Sequence, residues 1–241
     1  MGALLIVRQG QANSLDYDRD GDVLSPLGVA QARKLGERWA EEGTRPERVF
    51  VGPRRRHRET HAEVERVFAE RGLPWPAPEP LTALDEYPAG SLLARGAALA
   101  LERDPALLGA ATVFAETRNT ASREFLKLFT TVTRMWVRGE LDAVLDGVET
   151  WHGFRARVAE GIRHMTTGVD RGATVAAFTS GGAVSVATGH ALGIDDERVI
   201  ELSWLIRNTS ITELKFSGER VALAAFNATP HLLDPATITV R

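Results

Sequence analysis

The sequence contains no cysteine among its 241 residues. This absence excludes disulfide bonds, a thiolate nucleophile, and any zinc or iron–sulfur site built on cysteine. A chain without cysteine is compatible with a reducing compartment.

Long apolar runs and an excess of basic charge are missing as well. No stretch reaches the roughly 18 apolar residues of a membrane-spanning helix. The N-terminal segment MGALLIVRQGQ lacks the basic region and the long apolar run of a signal peptide. The formal net charge is −3, so no overall basic field predicts nucleic-acid binding. We therefore expect a cytoplasmic protein that binds neither membrane nor nucleic acid.

What is present is the composition of an ordinary globular protein, with 44% hydrophobic and 25% charged residues. Short apolar runs predict strands at 3–7, 48–51, 81–84, 173–179, 210–216 and 220–226. Amphipathic stretches predict helices at 28–42, 55–71, 151–167 and 183–192. Ser25 and Pro26 stand where the N-cap and the first residue of the first helix are expected. Strands that alternate with helices predict an α/β fold, a three-layer sandwich in which helices flank a mostly parallel central sheet.

Two segments differ from this alternation. Residues 73–80 include four prolines and predict an extended connector. Residues 90–149 are rich in Ala, Leu, Arg and Glu, with helical periodicity and no convincing strand. We interpret them as a helical cap inserted into a single domain, 1–241, whose core is 1–89 and 150–241.

Charged residues and glycines follow the predicted strands at the points where ligands bind in open α/β sheets. These segments are Arg8-Gln9-Gly10, the cluster Arg54, Arg55, Arg56 and Arg58, Glu86, and Ser180-Gly181-Gly182. Guanidinium groups hold phosphate or carboxylate in a bidentate manner. Glycines at a strand-to-helix turn let backbone N–H groups approach an anion. Together they predict a site for a small anionic ligand, phosphate or carboxylate.

Seven short motifs occur in a recognisable order along nearly the whole chain. They are LLIVRQGQA at 4–12, LSPLGVAQA at 24–32, GPRRRHRET at 52–60, LDE at 84–86, ETWHGFRARV at 149–158, FTSGG at 178–182 and NTS at 208–210. This series resembles the histidine phosphatase superfamily, whose fold is phosphoglycerate mutase-like. The resemblance implies that Arg8 and Arg56 clamp a phosphoryl group and that Glu86 is a candidate general acid.

The departures from the family concern its two catalytic histidines. In the family, the histidine of the first motif forms a phosphohistidine, and a second histidine in the late motif donates to the phosphoryl oxygens. Gln9 and Ser180 stand at those positions. The lone pair of the Gln9 amide nitrogen is delocalised, so it cannot accept a phosphoryl group. Ser180 can donate one hydrogen bond but carries no charge.

The sequence therefore predicts a degenerate histidine phosphatase without phosphohistidine chemistry, with no cofactor and no metal. Its remaining pocket would be lined by Arg8, Arg56, Glu86 and Gly181, which are retained from the motifs, and by Gln9 and Ser180 at the histidine positions. The Gly182 amide would complete the anion cradle.

Several alternatives stay open at this point. Glu86 is either an acid/base group in an enzyme that reuses the pocket or a partner of Arg8. Weak phosphatase activity through another histidine or an activated water is a further alternative. Ser180 lies on a strand–turn–helix, as a hydrolase nucleophile would, and such an enzyme needs a base such as His57 or His152. The sequence also leaves open a homodimer or a protein partner.

Metal binding has two superficial signals. Asp16-x-Asp18-x-Asp20-Gly21 resembles the start of a calcium loop, but Leu27 stands where the bidentate Glu is required. His57 and His61 have zinc-helix spacing, but arginines flank them and oppose a cation. We interpret the first as a polar loop and expect no metal at either place.

Overall fold

The computed structural model describes residues 1–13, 22–117, 122–218 and 220–240. The strands are β1 (Gly2–Arg8), β2 (Arg48–Val51), β3 (Pro78–Pro80), β4 (Thr174–Thr179), β5 (Ile211–Ser217) and β6 (Arg220–Ala228). The helices are α1 (Pro26–Glu42), α2 (Arg55–Glu70), α3 (Ala89–Arg103), α4 (Leu108–Thr117), α5 (Arg123–Val137), α6 (Trp151–Thr166), α7 (Gly181–Leu192) and α8 (Asp196–Ser203). The Asp-rich segment at 16–21, predicted to be a polar loop, lies outside the described residues.

The strands form one six-stranded sheet in the order β3-β2-β4-β1-β5-β6. The pairs β3-β2, β2-β4 and β4-β1 are parallel, and β5 is antiparallel to both of its neighbours. The predicted α/β fold, with a mostly parallel sheet flanked by helices, is confirmed. Arg8 pairs with Thr179, and Val51 pairs with Phe178, so β1, β2 and β4 end at the same edge of the sheet.

Alternate residues of these strands face opposite sides of the sheet. On one side, α1 and α2 bury their apolar stripes against the strands in one cluster. Its fully or nearly fully buried members are Val7, Leu35, Trp39, Val49, Val51, Val64, Phe68, Ala176 and Phe178. On the other side, Phe50 meets the ring of His164 in α6 edge-to-face, with centroids 5.7 Å apart. Both faces of the sheet are therefore covered, as the near-continuous apolar runs of parallel strands require.

The start of α1 follows its predicted capping signal. Ser25 is the N-cap, its side chain accepts a hydrogen bond from Gly28 N, and Pro26 is the first helical residue. Gly43 ends the helix in the left-handed conformation, with φ of 74°.

The strand predicted at 81–84 is wrong. The edge strand is β3, which lies in the proline-rich segment, and Thr82–Leu84 forms a 3-10 helix. Proline is tolerated here because β3 pairs only with β2, and only Glu79 and Leu81 need to direct N–H groups toward β2. Leu81 N donates to Val51 O at 2.9 Å and ends the pairing. Helix α8, capped by Asp195, was not predicted.

The chain divides into two compact units, Met1–Glu86 with Arg157–Arg241, and Tyr87–Ala156. The second unit contains α3, α4 and α5. An aromatic cluster lies within it, formed by Tyr87, Trp136, Trp151 and Phe154, with ring centroids 5.1 to 6.0 Å apart. The prediction of a single domain with a cap at 90–149 stays a prediction. Among the described residues, no helix combines the length and the apolar character needed to cross a bilayer.

Candidate functional site

The first and last motifs meet where β1 and β4 end side by side. Gln9 and Ser180 each follow the register pair Arg8–Thr179 by one residue. Gln9 N donates to Thr179 O at 2.8 Å, which holds the two chain segments together beyond the strands. The Gln9 side chain is 7% exposed, and Ser180 is fully buried. The structure therefore places Gln9 and Ser180, the two residues that we expect at histidine positions, on neighbouring strand ends.

Arg56 is brought to the same place by the first turn of α2. The residue is 4% exposed, and its Nη2 donates to Ser180 Oγ at 3.1 Å. Its Nη1 donates to Asp22 Oδ1 at 2.7 Å, and Asp22 Oδ2 accepts from Arg55 N at 2.7 Å. Asp22 therefore binds the guanidinium and also the N-terminus of α2, where a negative charge is favourable. No sequence signal distinguished it from the other acids of the 13–22 segment.

Glu86 binds the N-terminus of α7. Its Oε2 accepts a hydrogen bond from Gly182 N at 3.1 Å. The Gly182 amide, which we expected in the anion cradle, therefore already holds a carboxylate of the chain. Arg54 fixes the segment that carries Glu86, because its Nε pairs with Asp85 Oδ1 at 2.6 Å and its Nη2 donates to Glu86 O at 3.2 Å.

Arg8 lies beside the turn that begins α7. A Cβ added to Gly181 would stand 3.6 Å from Arg8 Nε, an ordinary van der Waals contact. The Arg8 Nη1 group donates to the backbone carbonyls of Ile206 and Val240. These bonds tie the end of β1 to the C-terminal segment, a role the sequence did not predict for this arginine.

Gln9 has one buried polar atom that finds no partner. Its backbone oxygen accepts from Asn208 Nδ2 at 3.1 Å and from Thr209 N at 3.2 Å. Its side-chain Oε1 has no hydrogen-bond partner within the described ranges. A buried acceptor left without a donor costs about 1–3 kcal/mol, so a ligand or water that donates to Oε1 would be favoured.

His57, one of the two bases that the sequence offered for Ser180, reaches that residue. Its Nε2 lies 2.6 Å from Ser180 Oγ, and both residues are fully buried. Desolvation by burial lowers the pKa of His57 well below its ordinary value, and the positive charges of Arg56, Arg54 and Arg58 lower it further. The imidazole is therefore neutral at pH 7, with a lone pair on one nitrogen.

A glycine makes room for this imidazole. A Cβ added to Gly52 would lie 2.3 Å from His57 Nδ1 and 2.8 Å from Leu84 O, closer than side-chain atoms approach. Gly52 stands at the first position of the motif GPRRRHRET. His57 can therefore occupy its place only because residue 52 has no side chain.

The two histidines with zinc-helix spacing engage different partners. His61 Nε2 accepts from Trp75 Nε1 at 2.9 Å, and His57 contacts Ser180. Within the part of the chain that the structure describes, no three His, Asp or Glu side chains converge as metal ligands would.

Comparisons with known proteins found one family model and a shared fold. The family model of the histidine phosphatase superfamily (branch 1) matches residues 92–229, a range that contains Ser180 but not Gln9 or Arg56. No curated protein matches the chain in sequence.

Solved structures share the fold over nearly the whole chain. Bacillus stearothermophilus YhfR superposes with a TM-score of 0.65 and 16% identity, covering 96% of this chain and 100% of its own. Phosphoserine phosphatase from Entamoeba histolytica, in complex with 3-phosphoglyceric acid, gives 0.62 and 16%, covering 97% and 100%. Phosphoglycerate mutase from Bacillus anthracis gives 0.61 and 14%, covering 96% and 95%. At these identities the likeness concerns the fold.

Proposed function

The chain belongs to branch 1 of the histidine phosphatase superfamily, and we propose that it has lost phosphohistidine chemistry and binds a small oxyanion. The ligand is a phosphate or a carboxylate, and its site lies where β1, β4 and α2 meet. The proposal concerns an internal site of the first unit and needs no cofactor.

The loss of phosphoryl transfer follows from the chemistry of residue 9. An amide nitrogen offers no lone pair for attack at phosphorus, so Gln9 removes the covalent route. The hydroxyl of Ser180 supplies no positive charge where the family has its second histidine. Losing one donor to a developing anion lowers a rate about 10²–10³-fold. Both losses affect the transfer of the phosphoryl group to the protein.

The contact between Arg56 and Ser180 is the observation that carries the anion site. A guanidinium that is 4% exposed points its Nη2 at a hydroxyl between two strand ends. Charge-assisted hydrogen bonds from a buried guanidinium to an oxyanion are among the strong ones. The Gln9 amide can add a donor without being consumed. An incoming oxyanion would take the place of Asp22 on Arg56.

Calorimetric titration tests the proposal. Phosphate, sulfate and a phosphosugar are titrated into wild type and Arg56→Ala, with Arg33→Ala, which removes the surface ion pair to Glu70, as matched control. We expect wild type and Arg33→Ala to bind alike. Arg56→Ala should bind at least about tenfold more weakly, because a hydrogen bond to a charged group contributes about 1.5–3 kcal/mol. Equal binding by wild type and Arg56→Ala, at millimolar affinity or weaker, would contradict the proposal.

A further inference from the structure

The protons carried by Arg56, Ser180 and His57 limit how the hydroxyl and the imidazole can share their hydrogen bond. A serine hydroxyl donates one hydrogen bond and accepts two, whereas a guanidinium only donates. Arg56 Nη2 therefore gives a proton to Ser180 Oγ, and His57 is the described side chain that can accept from it. Ser180 O–H can donate to Nε2 when the imidazole proton resides on Nδ1.

A second hydroxyl–imidazole pair in the molecule shows the opposite arrangement. Thr209 Oγ1 lies 2.9 Å from His231 Nε2, but it already donates its proton to Asn208 O at 2.8 Å. His231 must therefore donate to Thr209, and its Nε2 has no lone pair for the hydroxyl. The Thr209–His231 pair is a structural contact, whereas the Ser180–His57 pair can take the proton order of a nucleophile and its base.

Ser180 is also free of the structural role that its position normally gives a serine. It is the N-cap of α7, but its side chain accepts no capping hydrogen bond from the helix. The amide of Gly182, one of the N–H groups a serine N-cap can serve, donates to Glu86. Ser180 Oγ is therefore left to Arg56 and His57, the second of which fits only because residue 52 is glycine.

We propose that Ser180 is a nucleophile with His57 as its general base, and that it takes an acyl group from a small carboxylic ester. This activity goes beyond the oxyanion binding proposed above. A carboxylic ester fits better than a phosphate ester as the reacting group, because its carbonyl is uncharged. Such a carbonyl can approach Oγ while Asp22 still holds Arg56.

The reaction balances within this group of side chains. As Ser180 Oγ attacks the carbonyl carbon, its proton moves to His57 Nε2 and the carbonyl π electrons move to the oxygen. The oxyanion forms next to the Arg56 guanidinium, which stabilises it. Collapse breaks the ester C–O bond, and the leaving alcohol takes the proton from Nε2. A water repeats the sequence on the acyl-serine and releases the carboxylic acid, so one ester and one water give one acid and one alcohol.

The burial of Ser180 and His57 determines the expected rate of acylation. Ser180 and His57 are fully buried, so an ester reaches Oγ only through a local opening of the site. We therefore expect slow acylation. Neutrality of His57 keeps its lone pair available in mildly acidic solution, so the acylation rate should not fall between pH 8 and pH 6.

The experiment is acylation by p-nitrophenyl acetate, followed by release of nitrophenol and by peptide mass spectrometry. We expect acetylation of Ser180 in wild type and a loss of at least about 100-fold in Ser180→Ala and His57→Gln, the size of a general-base contribution. Two matched controls should react as wild type does. Ser185→Ala changes a buried serine of the same helix whose hydroxyl donates to Gly182 O, and His231→Gln changes the structural pair.

The outcomes separate this inference from the proposed function. Because mapping is done on wild type, it needs no variant to fold. The assignment of Ser180 as nucleophile and His57 as base would be overturned by any of three results. These are no adduct, an adduct on another residue, or equal acylation rates in His57→Gln and wild type. Equal phosphate binding by wild type and Arg56→Ala in calorimetry would overturn the oxyanion site instead, whatever the acylation result. An acid-stable, alkali-labile phosphoryl group on Ser180 after incubation with a phosphomonoester would make a phosphate ester the substrate and overturn the acyl assignment.

Discussion

Asp22 and Arg56 form an ion pair in which Oδ1 lies 2.7 Å from Nη1, so a carboxylate of the chain itself occupies one edge of the buried guanidinium. Glu86 does the same at the N-terminus of α7 through Gly182 N. Internal carboxylates therefore already contact two of the groups to which we assign anion binding, the Arg56 guanidinium and the Gly182 amide. An external oxyanion must compete with these carboxylates, and this competition determines its affinity.

Replacing Asp22 by Asn should strengthen oxyanion binding. The amide can still accept from Arg55 N, so the start of α2 is kept, but the charge that competes for Arg56 is lost. We expect phosphate to bind about tenfold more tightly, the size of one charge-assisted bond made available. Calorimetry with phosphate measures this, with Glu70→Gln as the control for removing a surface ion pair. Weaker binding by Asp22→Asn would mean that phosphate does not use Arg56.

Three buried histidines should make the protein sensitive to acid. Burial lowers the pKa of His61 and of His231 to about 4, and it lowers the pKa of His57 as well. In the unfolded chain these histidines have pKa values near 6.5. Between pH 4 and pH 6.5 the unfolded chain therefore binds more protons than the folded protein does. The stabilisation is complete above pH 6.5 and is lost as the pH falls toward 4, by about 2 kcal/mol for each of His61 and His231 between pH 7 and pH 5.

Urea unfolding at pH 7 and pH 5 measures this loss. His61→Gln keeps an acceptor for Trp75 Nε1 and removes one titrating group, so its loss of stability should be about 2 kcal/mol smaller than that of wild type. The exposed His152 offers a matched control, because His152→Gln replaces a histidine and leaves the three buried ones in place. An equal pH dependence in wild type and His61→Gln would show that His61 is not held neutral by the fold.

A methyl group at residue 52 should disturb the site. In Gly52→Ala the new Cβ would clash with His57 Nδ1 and Leu84 O, so we expect a loss of about 1–3 kcal/mol in the free energy of unfolding. Part of this loss should disappear in the double variant Gly52→Ala/His57→Ala, because the ring is gone. Gly90→Ala is the control, since a Cβ there meets nothing within 4 Å. Additive effects of the two substitutions would show that residue 52 does not make room for His57.

The sequence predicted the sheet and its helices because periodicity and capping are local signals. Ser25 and Pro26 start α1 as expected, and the motif order brings Arg56 to Ser180. The strand at 81–84 was misplaced because the edge position that tolerates Pro78 and Pro80 is a property of the whole sheet, which no local pattern reports.

The site was predicted less completely because its partners are distant in sequence. Asp22 reaches Arg56 across 34 residues, Glu86 reaches Gly182 across 96, and His57 reaches Ser180 across 123. No spacing rule connects such residues. Gly52, at the start of the arginine-rich motif, was the local signal that other groups fill the space where a side chain of residue 52 would lie.

Phosphorylation by a labelled phosphomonoester tests the central claim, the loss of phosphohistidine chemistry, most directly. Wild type and the double variant Gln9→His/Ser180→His are incubated with several phosphomonoesters, quenched in acid and in alkali, and assayed for bound label and released phosphate. The account predicts background label and negligible turnover for wild type, because no imidazole stands at residue 9. Acid-labile, alkali-stable label on wild type, mapped to a histidine of the site such as His57, would contradict it.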